Sequence, residues 1–99
     1  MTQVYDHIEQ TRHLLSQIFE SGLASARNVS AALGDCGKIA EELGMSGGAE
    51  LLGALDAALR ALAAGQGETG SAALAYCYAL SYYNIVADML IVETMAVKQ

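Results

Sequence analysis

The chain has 99 residues, 54% of them hydrophobic and only 16% charged, with a formal net charge of −6. That is one domain with more apolar side chain than a single small globule easily hides, which excludes a disordered chain and makes burial against a partner the expectation. The five lysines and arginines never cluster, so neither nucleic acid nor a membrane of anionic lipid is an expected partner.

The first helix is expected over residues 3–21, with Val4, Ile8, Leu15, Ile18 and Phe19 on its apolar side and Gly22 as a left-handed cap. Its opposite stripe carries Asp6, Glu9 or Gln10, His13, Gln17 and Glu20, and His7 reads as a surface or boundary residue. A second helix is expected over residues 24–43, where Ala26, Val29, Leu33, Cys36, Ala40 and Leu43 recur at three and four residues, a seam that wants a facing helix. Gly34 and Gly37 fall inside it, each costing about 1 kcal/mol against alanine. Either the helix breaks there or the glycines admit a close neighbour, and continuity is the preferred reading.

Gly44 closes the second helix, residues 45–48 make the turn, and Ser46 is the candidate N-cap of a third helix over residues 48–64. This helix is the most cleanly amphipathic of the four. Leu51, Leu52, Leu55, Ala58, Leu59 and Leu62 oppose Glu50, Asp56 and Arg60, and the last two stand four apart, where they can pair. Residues 65–70 read as a flexible loop, and Ser71 as the cap of a last helix over residues 72–97. With no proline and no alternating run, the chain is expected to be all-α. Its architecture is expected to be a single-domain four-helix up-down bundle with antiparallel neighbours, which dimerisation can complete.

The last helix is the informative one. Its first twenty residues, 71–90, hold a single charge, Asp88. Projected at about 100° per residue, it shows a narrow polar strip of Cys77, Ser81, Asn84 and Asp88 and two apolar sides. One side carries Leu74, Tyr78, Tyr82, Ile85, Met89 and Val92; the other carries Tyr76, Leu80, Tyr83, Ala87, Leu90 and Ile91. A helix in a closed monomeric bundle buries one stripe, so the second side either widens the core or meets another subunit. The side containing Tyr76, Leu80, Tyr83, Ala87, Leu90 and Ile91 is the expected interface, because tyrosine tolerates a surface that is apolar and partly wet. On that reading Leu90→Asp releases the partner and leaves the helices intact. A membrane span is not expected, since Ser81, Asn84, Asp88 and Glu93 interrupt the stretch and no basic flank marks a cytoplasmic side.

No motif carries chemistry. Asp6, Glu9 and His13 share a face of the first helix, but they oppose its apolar side and no Glu-x-x-His accompanies them, so a solvated face is expected and no metal or cofactor. Cys36 and Cys77 read as two reduced core thiols of a cytoplasmic protein, since the N-terminal residues lack a secretory signal. Pairing either with one of the two histidines rests on nothing more than geometric possibility, and no enzyme is expected. The GDCGK segment lacks the preceding strand and the spacing of a phosphate loop.

The expected function is therefore a non-enzymatic protein-binding module: a homodimer, an adaptor or a small chaperone-like protein. The alternative is a small-molecule or metal-binding bundle in which Ser81, Asn84 and Asp88 face a cavity.

Overall fold

The helices are α1 (Thr2–Ser21), α2 (Ser30–Glu42), α3 (Ser46–Ala63) and α4 (Thr69–Lys98). The computed structural model describes residues 2–22 and 30–98, with side chains for residues 3–22 and 31–90. Each helix packs on its neighbour in the chain, and α4 returns to pack on α1, while among the described residues the backbones of the diagonal pairs α1/α3 and α2/α4 stay apart. This closed ring of four is the expected all-α bundle. Its extents of 52 × 22 × 18 Å are those of two helices by two. Cross-helix contacts fix the antiparallel sense: His7 meets Tyr83 while Leu15 meets Tyr76, so α1 runs one way and α4 the other.

Glycines close the helices as the sequence suggests. After α2, Gly44 turns left-handed at φ +79; its N–H donates to Glu41 O, and the Met45 N–H donates to Ala40 O. After α3, Gly65 at φ +75 does the same, with its N–H on Leu62 O and the Gln66 N–H on Ala61 O. Both are paired 5→2 and 6→1 bonds that satisfy the last helical carbonyls, and a side chain at either glycine would meet the steric cost of left-handed backbone. The described part of α2 passes through Gly34 and Gly37 without a break, and Gly37 sits 4.0 Å from Leu52 Cβ of α3 when a Cβ is placed on it. Continuity is thus the arrangement found, and no close neighbour demands the glycines: an added Cβ at Gly37 would make only ordinary contact and one at Gly34 would meet nothing within 4 Å. The start of that expected helix, with Ala26 and Val29, lies outside the described residues.

Two starts differ from expectation. Ser46 is the first residue of α3 and not its cap; Met45 takes the cap position and no side chain bonds the free amides there. α4 begins at Thr69, so the loop between α3 and α4 is shorter than residues 65–70.

The core draws on every helix. α3 contributes Leu52, Leu55 and Leu59, α1 contributes Ile8, Leu14, Leu15 and Ile18, and α2 contributes Leu33, Cys36 and Ala40, all buried. The opposite face of α3 behaves as expected, with Arg60 Nε donating to both Asp56 oxygens at 3.1 Å. Phe19, expected inside, is 76% exposed. It stands about 80° from the centre of α1's buried stripe at 100° per residue, which aims its ring along the α1–α4 groove. His7, read as surface, is buried, as is Thr11. At positions 7, 11, 14, 15 and 18 the two polar residues belong to the inward stripe by spacing alone.

Candidate functional site

α4 buries Ala72, Tyr76, Ala79, Tyr83 and Ala87, recurring at three and four residues. The alanines let α1 and α3 come close, and the tyrosines fill the layers between. Tyr83 is wholly buried because α3 begins with a glycine pair. A Cβ on Gly48 would lie 2.6 Å from the Tyr83 hydroxyl and 3.1 Å from the Tyr82 ring, and one on Gly47 would lie 3.2 Å from Tyr82. The first turn of α3 is in effect a notch cut for two adjacent rings, which stack edge-to-face with centroids 5.2 Å apart.

The tyrosine hydroxyls end in a polar layer inside the core. Tyr83 Oη and His7 Nε2 are 2.7 Å apart, and the Thr11 hydroxyl lies 3.5 Å from His7 Nδ1. The tautomer with its proton on Nδ1 satisfies both contacts, since Tyr83 then donates to Nε2 and the ring donates to Thr11. Thr11 also bears on the Cys36 thiol, pulling its pKa down against the larger, upward effect of burial. About two turns away, Tyr76 donates to the backbone carbonyl of Leu15 at 2.8 Å. Among the described residues no buried side-chain nitrogen or oxygen lacks a partner. Burial lowers the His7 pKa below 6.5 and raises those of Cys36, Tyr76 and Tyr83. All four groups are thereby held neutral, the condition for a polar layer to persist in an apolar core. Held neutral, these groups spend their polar atoms on one another and on the Leu15 carbonyl, and so tie α4 to α1 in one register.

These positions revise the expected interface. Tyr76, Tyr83 and Ala87 are buried in the chain's own core, and Leu80 and Leu90 pack against it half-buried. The side chain of Ile91 lies outside the described residues. The stripe chosen from sequence thus lines the bundle, because its tyrosines find polar partners on α1 and a notch on α3. Cys77, expected in the core, is exposed.

The other apolar side of α4 is the one left open. Leu74, Tyr78, Ile85 and Met89 are exposed by 53%, 57%, 59% and 56%. They run along about 22 Å of helix at 1.5 Å per residue. Beside them lie Cys77, Ser81, Asn84 and Asp88, all exposed. The polar strip Ser81, Asn84 and Asp88 faces outward, with Asn84 on the rim of an open groove of about 510 Å³. That groove runs between α1 and α4 over Tyr76 and Leu80, with Phe19 at its wall. Its charged lining is already engaged: Arg12 pairs with Glu9 at 3.3 Å, and Gln17 lies 3.3 Å from His13. Asp6, Glu9 and His13 are exposed, and among the described residues no three His, Cys, Asp or Glu side chains converge as a metal site would require.

Among the described residues no helix is long and apolar enough to cross a membrane. Comparison with protein-family models, with curated proteins and with solved structures gives no match.

Proposed function

We propose that this bundle is a protein-binding module without catalytic activity of its own, and that its docking surface is the outer stripe of α4, Leu74, Tyr78, Ile85 and Met89. The observation that supports this is the exposure of four large apolar side chains on one helix face, in two pairs seven residues apart. Scattered surface hydrophobes are ordinary, but a row of them bordered by small and polar side chains is the usual mark of an interaction site. Single-handed use of α4 explains its composition: one side builds the monomer's core and the other is kept apolar for a partner.

The reading is tested by sedimentation together with binding of a dye that fluoresces on exposed apolar surface. The stripe is expected either to be covered by association or to bind dye, and Ile85→Glu is expected to abolish whichever is seen. A wild-type chain that sediments as a monomer and leaves the dye dark would contradict it.

A further inference from the structure

Resting on the assignment of α4's outer stripe as the docking surface, we infer that its occupant is a second copy of this chain, bound with the two α4 helices antiparallel. The spacing carries the inference. Leu74, Tyr78, Ile85 and Met89 are exposed, and their steps along the helix, four, seven and four, read the same in both directions. A two-fold axis through the midpoint between Ser81 and Tyr82 sets Leu74 level with Met89 of the second copy and Tyr78 level with its Ile85. An isologous interface needs a patch complementary to itself under such an axis, and this patch meets the condition with exposed large side chains at the ends and, at the centre, Ser81 of each copy level with the half-buried Tyr82 of the other.

Charge points the same way. The chain carries a net charge of −6, yet residues 69–87 contain no charged side chain. Two copies that meet on this face bring their acidic surfaces no closer than necessary. Within residues 69–90 of α4 the one charged side chain is Asp88, exposed beside the stripe. In a parallel pair it would face its own copy, whereas in the antiparallel pair it lies level with Ala75 of the second copy, and the two carboxylates stand about 19 Å apart along the seam at 1.5 Å per residue. Area is adequate too: four half-exposed large side chains and their neighbours from each copy cover on the order of 1,000 Å², at the lower bound for a specific dimer.

The test is sedimentation of the wild type at micromolar concentration beside Ile85→Glu and Tyr78→Glu, with circular dichroism to confirm that both variants remain helical. A wild-type dimer of twice the chain mass and monomeric variants are expected. Orientation is read from disulfide trapping in a Cys77→Ser background: the pair Leu74→Cys with Met89→Cys should form a covalent dimer, and Leu74→Cys alone should not. A dimer that survives both glutamate variants, or efficient trapping by Leu74→Cys alone, overturns the inference. A monomeric wild type whose dye binding is lost in Ile85→Glu overturns self-pairing and leaves the stripe as a surface for some other protein. A monomeric wild type that binds no dye overturns both.

Discussion

Tyr83 shows how single residues decide this fold. Its ring is admitted by the absence of a side chain at Gly48, and its hydroxyl is satisfied by His7. Gly48→Ala should therefore destabilise the protein in urea unfolding, although alanine in a helix normally gains up to about 1 kcal/mol over glycine. The control is Gly53→Ala, where an added Cβ meets nothing within 4 Å; it should stabilise by roughly that amount. Tyr83→Phe keeps the ring and removes the hydroxyl, which leaves His7 Nε2 buried without a partner, at a cost of about 1–3 kcal/mol.

His7 also gives the protein a pH dependence with a definite sign. Its folded pKa lies below the ordinary 6.5 because burial disfavours the imidazolium. Below pH 6.5 the unfolded chain takes up the proton first. The contribution of His7 to stability is thus complete above that pH and is lost as pH falls through it toward the lowered folded value. Urea midpoints on either side of pH 6.5 should show this decline in the wild type, and His7→Gln should flatten it.

At the scale of elements, α4 divides into two faces with opposite sensitivities. Tyr83→Ala should cost about 3–5 kcal/mol through lost burial and a cavity. Ile85→Ser, on the outer stripe, should change the stability of the monomer by no more than about 0.5 kcal/mol. Leu90 packs against the core, so Leu90→Asp should lower the unfolding midpoint of the monomer itself and not merely release a partner. Thermal unfolding at a concentration below that of any association separates the two cases.

The helices, their glycine ends and the apolar face of α3 were legible in the sequence because each is written in local spacing: Leu52, Leu55 and Leu59 recur at helical period, and Gly44 and Gly65 follow the last turn. The choice between the two sides of α4 was not legible. A helical projection registers that Tyr78 and Tyr83 lie on different sides, but the notch that accepts Tyr83 is built by Gly47 and Gly48 of another helix, and its hydrogen-bond partner by His7 of a third. A signal was nevertheless present. His7 and Thr11 fall in register with Leu14, Leu15 and Ile18, and polar residues on an inward stripe call for polar partners across the core, which a tyrosine supplies.

At the scale of the whole molecule, four helices in a closed ring bury one stripe each, and α4 has a second stripe for which the ring provides no cover. On the proposed function, that surplus is the reason residues 69–87 are apolar and free of charge. On that same proposal Tyr83 belongs inside the bundle, while Tyr78 and Met89 belong to an interface. Hydroxyl-radical footprinting read by mass spectrometry, on the wild-type chain at dilutions spanning its association, tests both halves at once. Tyr83 should be protected at every concentration, and Tyr78 and Met89 should be oxidised when dilute and protected when concentrated. Oxidation of Tyr83 as fast as Tyr78, or equal oxidation of Tyr78 and Met89 at all concentrations in a chain that does not associate, would contradict it.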